Sequence, residues 1–191
     1  LLDSPKKHRD VESMNIVIVG MGEVGRYISS VLVSENHNVV IIDSDQDALQ
    51  QAEETLDVMI LRGHGASLKA LTQANAEEAD LFIAVTDNCE VNILAAIRAK
   101  ELGAKRTIAR VSESAYYENE RGMITGMMGI DLIINPNALI AIEMHKIIRS
   151  TSAVAVEDFA DNRIEMIQLP MDQKSPLVDK MLKAKIGRAH V

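Results

Sequence analysis

The stretch NIVIVGMGEVGRYISSVL, Asn15 to Leu32, decides the fold: a short apolar run enters three glycines spaced G-x-G-x-x-G and leaves as an amphipathic helix. At such a strand-to-helix turn the first glycine, Gly20, permits the turn. Gly22 lets backbone approach a pyrophosphate, and Gly25 allows the helix to pack closely on the strand. The helix N-terminus then presents N–H groups and the positive end of its dipole to the anion. The spacing alone is a weak signal. It becomes strong because an acid closes the next apolar run, with Asp43 ending VVIID 18 positions beyond Gly25.

Working outward, short Val- and Ile-rich runs recur at Asn15 to Val19, Asn38 to Ile42, Asp57 to Leu61, Asp80 to Val85, Arg106 to Val111 and Asp131 to Ile134. Runs of this kind are what strands buried on both faces require. Helical-period stretches separate them. In VTDNCEVNILAAIRAKELG the period predicts Val91, Leu94, Ala95 and Arg98 on one side, with a left-handed cap at or just before Gly103. This β-α repetition predicts an α/β fold, a Rossmann-like doubly wound six-stranded parallel sheet covering residues 14–134, with ligands at the carboxyl ends of its strands.

Asp43 is placed to accept hydrogen bonds from ribose hydroxyls. Its alternative is a cap for the following helix, a task for which Ser44 and Asp45 are better placed. Carboxylates at 43, 45 and 47 with no Arg nearby would repel a 2′-phosphate, which favours NAD over NADP. Thr86 and Asp87 end the fourth strand and are candidates for ligand contact. Asp87 with Glu90 also reads as a capping box. Arg110 puts a guanidinium into an apolar strand, where it needs an anion: a carboxylate on a neighbouring helix, or a nucleotide phosphate or ribose edge.

Composition removes several classes of function. The chain has 191 residues, 47% of them hydrophobic, enough for one substantial core and a small appendage but not for a separate large substrate domain. A formal charge of -8, no Trp and 3% aromatics leave neither a basic surface nor stacking platforms, so nucleic acid is not an expected partner. One cysteine excludes an internal disulfide framework, and the five histidines show no zinc-ligand spacing, so no metal site is predicted. No apolar run approaches the length of a membrane span. The chain reads as soluble and cytoplasmic.

The ends carry punctuation. Residues 1–13, LLDSPKKHRDVES, are charged and without period, and read as an expression scar or a linker, with Met14 as the native start. The closing KAKIGRAHV has the same character. Residues 135–150 form a helical segment, with Asn135 as N-cap and Pro136 as first helical residue. Its Leu139, Ile140, Ile142, Met144, Ile147 and Ile148 cover more than one face, too many for a peripheral helix packed on a single side, which leaves core packing or, as the family resemblance given below supports, a crossover helix packed against a second subunit.

Five segments, GMGEVG, VVIIDSD, LRGHGAS, DLFIAVTDNCEVN and RTIARV, stand in the order seen in RCK N-terminal domains, the TrkA-N family, and the chain resembles these from Met14 to about Arg149. The branch it resembles most is that of the peripheral subunits of bacterial Trk potassium uptake systems. Residues 151–191, with AVAVEDFADNRIEMIQLP, resemble the start of an RCK C-lobe, a partial α+β unit cut short. The resemblance implies a domain that binds NAD or NADH, or ATP/ADP in some relatives. It also implies regulation of potassium flux without catalysis, through a membrane potassium-translocating partner, as a homodimer or larger ring held at the inner face of the cell membrane. Carried over by position, the contacts are Gly20, Met21, Gly22, Glu23 and Val24 at the phosphates, Asp43 at the ribose, then Thr86, Asp87 and Arg110, with Gly25 counted among the cofactor-binding residues. One departure bears on the ligand. The ATP-binding, KtrA-like branch carries Arg where this chain has Glu23, and an acid there opposes a γ-phosphate.

Catalytic readings fare worse against the residues. A short-chain dehydrogenase needs a Tyr-x-x-x-Lys pair, but Tyr117 precedes Arg121 and Tyr116 precedes Glu120. Arg does not substitute, because it stays charged and its geometry differs. His64 lies on the loop after the third strand, facing the nucleotide or bonding backbone. Cys89, in the first turn of its helix, is a redox-sensing candidate or a small buried filler. An NADH-sensing repressor would need a basic helix-turn-helix, which this acidic chain lacks. The closest rival reading is the cytoplasmic gating domain of a potassium channel.

Overall fold

The computed structural model describes residues 12–113, 116, 129–149, 155–159 and 164–168. Most of residues 1–13, Tyr117 with Arg121, and the closing KAKIGRAHV lie outside the described residues. The chain divides into two compact units, residues 1–137 and 138–191. Among the described residues no helix is long and apolar enough to cross a membrane.

The first unit begins with β1 (Asn15–Val19), α1 (Glu23–Ser34), β2 (Asn38–Asp43), α2 (Gln46–Thr55), β3 (Met59–Arg62), α3 (Leu68–Gln73) and a 3-10 turn at Ala76–Glu78. It continues with β4 (Leu81–Ala84), α4 (Cys89–Leu102), β5 (Thr107–Arg110) and β6 (Leu132–Ile134). All six strands are parallel, in the order β3-β2-β1-β4-β5-β6. That is the doubly wound order, with the reversal between β1 and β4. Each expected strand is present, with ends within two residues of those read from the sequence.

Successive side chains of β1 point to opposite faces, and both faces are covered. Ile16 and Ile18 join Met21, Ile41, Leu49 and Ala52 in one apolar layer, against which Ile28 and Leu32 of α1 pack. Val17 and Val19 join Ile42, Phe82, Ala84, Ala95, Ala96 and Ala99 in the other. Both faces being dry explains why these strands read as continuous apolar runs rather than alternating ones.

Helix α4 corrects one expectation. It buries Cys89, Asn92, Ala95, Ala96 and Ala99, while Val91 and Arg98 are half-buried and Leu94 is exposed. The buried face is the one with small side chains, which lets the helix axis come close to β4 and β5. A rule that sends the largest apolar residue inward misreads it. The helix ends as expected at Gly103, with φ of +130°. The Gly103 N–H donates to the Lys100 carbonyl at 3.1 Å and the Ala104 N–H to the Ala99 carbonyl at 3.0 Å, a Schellman closure.

At the amino ends of the strands the charges are consumed. Asp80 accepts the Asn15 N–H at 2.8 Å and an Nζ–H of Lys105 at 2.6 Å. Asp131 accepts the Thr107 N–H at 2.7 Å and an Nζ–H of Lys100 at 2.8 Å. The lysine contact, foremost in each case, holds both carboxyls below the usual aspartate range.

Helix α5 (Pro136–Arg149) begins at Pro136, as read from the sequence. The second unit contains most of α5 together with β7 (Ala155–Phe159) and β8 (Ile164–Gln168), an antiparallel pair with Ala155 opposite Gln168. The apolar residues named above on α5, Leu139 to Ile148, are all exposed.

Candidate functional site

The reversal in strand order leaves a crevice between the carboxyl ends of β1 and β4, which is where open α/β sheets hold ligands. A cavity of about 530 Å³ occupies it, lined by Gly20 to Val24, by Asp43, Ser44, Asp45 and Ala48, and by Val85, Thr86, Asp87 and Arg110. Every ligand contact nominated from the sequence lines this cavity except Gly25, which stands behind it. Ser44, Asp45, Ala48 and Val85 also line it and were not nominated as contacts, since the first two read as helix-cap residues.

The glycines divide the work in a definite way. Gly20 has φ of +103°, and a Cβ there would lie 2.8 Å from the Thr86 nitrogen. A Cβ on Gly25 would lie 1.9 Å from the Gly20 carbonyl oxygen, so this position fixes how closely α1 sits on β1. Gly22 differs from both: a Cβ on it would meet nothing within 4 Å. Packing does not require glycine there, and what its missing side chain leaves open is the cavity in front of the α1 N-terminus. A phosphate cradle has this shape.

Asp43 does more than end β2. Its Oδ2 accepts the Met21 N–H at 2.5 Å and its Oδ1 the Asp45 N–H at 2.8 Å, tying the glycine turn to β2. Asp45, not Asp43, caps α2, accepting the Asp47 N–H at 2.9 Å. The carboxylate of Asp43 thus borders the cavity and carries no cap.

On the opposite wall the capping-box reading of Asp87 and Glu90 is corrected. The N-cap of α4 is Asn88, whose Oδ1 accepts the Val91 N–H at 2.8 Å. Asp87 is left with its side chain on the cavity wall. Glu90 instead accepts the Tyr116 hydroxyl at 2.6 Å. That bond, the foremost cause in each case, lowers the Glu90 carboxyl below its ordinary range and pushes the Tyr116 phenol up to about 12.

Arg110 at the end of β5 is half-buried and forms no ion pair among the described residues. Among the described residues no carboxylate on a neighbouring helix pairs with it. Arg110 lines the cavity together with Glu23, Asp43, Asp45 and Asp87, so the wall carries four acids and one base. Such a wall suits a ligand with few phosphates and several hydroxyls.

His64 bonds backbone, with Nδ1 accepting the Ala66 N–H at 3.3 Å. It also lines a smaller cavity of about 120 Å³ that shares Asp43, Ser44, Thr86 and Asp87 with the main one. Cys89 is buried, its Sγ accepting the Ser112 N–H at 3.3 Å, which is the filler reading. Among the described residues no group of three His, Cys, Asp or Glu side chains is arranged to hold a metal ion.

The family model for the TrkA-N domain matches residues 16–136 of this chain. The Trk system potassium uptake protein TrkA homolog of Archaeoglobus fulgidus is 38% identical over 162 residues, covering 85% of this chain and 36% of that protein. This chain therefore spans little more than a third of that relative. Among solved structures, the TrkA-N domain of the inner membrane protein ybaL from Escherichia coli superposes with a TM-score of 0.62 at 22% identity, covering 72% of this chain and 98% of that one. The GsuK channel bound to NAD gives 0.62 at 22% identity, covering 80% of this chain and 26% of that one. At these identities the two structures bear on the fold alone.

Proposed function

This chain belongs to the TrkA-N domain family, and from that premise we propose that it is the nucleotide-binding portion of a regulatory subunit of a potassium uptake system, sensing NAD or NADH. The observation that carries the reading is the cavity at the β1/β4 reversal, where an open glycine turn, the Asp43 carboxylate and Arg110, which forms no ion pair among the described residues, line one space. The α1 N-terminus with Gly22, Glu23 and Val24 receives the pyrophosphate. Asp43 accepts from the adenosine ribose hydroxyls, while Thr86, Asp87 and Arg110 hold the far half of the ligand. The four acids on the wall disfavour the extra charge of a 2′-phosphate or γ-phosphate, which argues for NAD or NADH over NADP and ATP.

The protein acts as a sensor rather than a catalyst. Residues 14–134 are its ligand-binding domain, 135–150 its crossover and dimerisation helix, and 151–191 the beginning of a C-lobe. The exposed apolar run on α5 supports pairing with a second copy. Nucleotide then shifts the population of dimer geometries, and a Trk-type membrane subunit reads that geometry from the cytoplasmic side. This requires a difference in ligand affinity between two arrangements equivalent to about 1–3 kcal/mol. The channel-gating rival has a likeness of fold behind it, whereas the uptake reading also has the 38% identity to an uptake-system protein.

Calorimetric titration with NAD, NADH, NADP, ATP and ADP tests the site, with Asp43→Ala as control. Micromolar binding of NAD or NADH, lost in the variant, is the expected result. Preference for ATP or ADP moves the assignment to the KtrA-like branch, and absence of binding by every nucleotide overturns it. Solution scattering with and without ligand tests the mechanism, and a dimer whose shape ignores ligand refutes it.

A further inference from the structure

One buried side chain joins the two strand ends that the proposed site needs, and no ligand contact is assigned to it. Asn92, on the inner face of α4, is 1% exposed. Its Oδ1 accepts the Thr86 N–H at 2.9 Å and the Thr86 hydroxyl at 2.7 Å. Its Nδ2 donates to the Thr86 carbonyl at 3.0 Å and to the Arg110 carbonyl at 2.9 Å. The orientation of the amide is dictated by its neighbours, since a backbone N–H only donates and two carbonyls only accept. With two bonds accepted and two donated, its hydrogen-bonding capacity is used in full.

β4 and β5 are paired only from Phe82–Thr107 to Ala84–Ala109. Beyond that register Thr86 and Arg110 are no longer held to each other by sheet hydrogen bonds, and both turn into the cavity wall. Asn92 takes over where the ladder stops. Its amide spans the gap between the two backbones and fixes the separation of the Thr86 and Arg110 Cα atoms. The Thr86 N–H, carbonyl and hydroxyl all bond the Asn92 amide, so Thr86 stands on the cavity wall in a place that Asn92 sets.

We propose that Asn92 is a positioning residue of the nucleotide site, touching no ligand itself and setting where Arg110 and Thr86 stand; this rests on the nucleotide-binding reading above. Aspartate is the sharpest replacement, because it keeps the shape and puts an oxygen where Nδ2 faced two carbonyls. The two acceptors lose their donor and are repelled, so the β5 end moves away from β4.

The test is a double-mutant cycle with Asn92→Asp and Arg110→Gln, reading NAD and ADP affinity by calorimetry and folding by thermal melts on the same samples. Asn92→Asp is expected to weaken NAD or ADP about tenfold, as a buried acceptor left without its donor costs. The double variant is expected to lose less than the product of the two single losses, because the share of the Asn92→Asp effect that acts through Arg110 is already gone in Arg110→Gln. Losses that multiply, or an Asn92→Asp protein that binds as tightly as the parent, overturn the proposal. If Asn92→Asp does not fold, Asn92→Ser, which removes the amide without adding a charge, enters the same cycle. A parent protein that binds neither nucleotide refutes the nucleotide reading itself. A parent that binds, with an unaffected Asn92 variant, refutes only the role of Asn92.

Discussion

The two ends of the same sheet are built on opposite rules. At the amino ends of the strands, Asp80 and Asp131 each hold a backbone N–H and a lysine, so charge and hydrogen-bonding capacity are spent inside the protein. At the carboxyl ends, Glu23, Asp87 and Arg110 stand at a cavity with no ion pair among the described residues. The contrast separates charges whose partners lie within the protein from charges that line a cavity without an ion pair among the described residues. It also says what each end loses by substitution: the first loses folding free energy, the second loses affinity.

Gly25→Ala should have the largest effect, and it breaks the division by costing stability at the carboxyl end. Its Cβ would lie 1.9 Å from a backbone oxygen, so α1 must lift off β1. A loss of about 3 kcal/mol or more in urea unfolding is expected, together with loss of nucleotide binding. Arg110→Gln sharpens the contrast in the other direction. Binding should fall about 10- to 100-fold by calorimetry, while the unfolding free energy stays within about 0.5 kcal/mol of the parent.

Asp131→Ala is the counterpart at the amino end. Nucleotide affinity should stay unchanged, and urea unfolding at neutral pH should show a loss of about 1 kcal/mol, held low by solvent screening of a partly exposed pair. Because the folded-state carboxyl titrates below its unfolded value, its contribution is complete above about pH 4 and is lost as pH falls through the folded value. The gap between parent and variant should therefore close in acid unfolding curves. The smallest effect tests the corrected helix cap. Asp87→Ala should leave stability within about 0.5 kcal/mol, whereas Asn88→Ala should cost about 1 kcal/mol. Equal losses from the two would restore the capping box at Asp87.

The strands were legible because a parallel strand covered on both sides has only one way to be written, as in VIVIV-like runs bounded by Gly, Asn or Asp. The site was legible where the ligand itself dictates residue type, at Gly20, Gly22 and Asp43. It was illegible where the protein dictates it. Asn92 resembles any polar helical residue until its phase is known, and that phase was hidden by Leu94, an apolar residue on the exposed side of α4. The signal was the run of Ala95, Ala96 and Ala99, which share a face with Asn92 at spacings of three, four and seven. Asn88 was passed over for the same kind of reason: in TDNCE three residues in a row accept hydrogen bonds from helix N–H groups, and only backbone geometry chooses among them.

The position of β1 in the sheet has a consequence for synthesis. Its neighbours are β2, which follows at once, and β4, just before which Asp80 meets Asn15 at a separation of 65 positions in the sequence. The crevice between β1 and β4 thus cannot exist on a chain still emerging from the ribosome until β4 has cleared it. Arg110 arrives later still. A nascent chain presents its glycine turn and Asp43 long before Arg110 can close the far wall, so the cavity becomes complete only once β5 has joined the sheet.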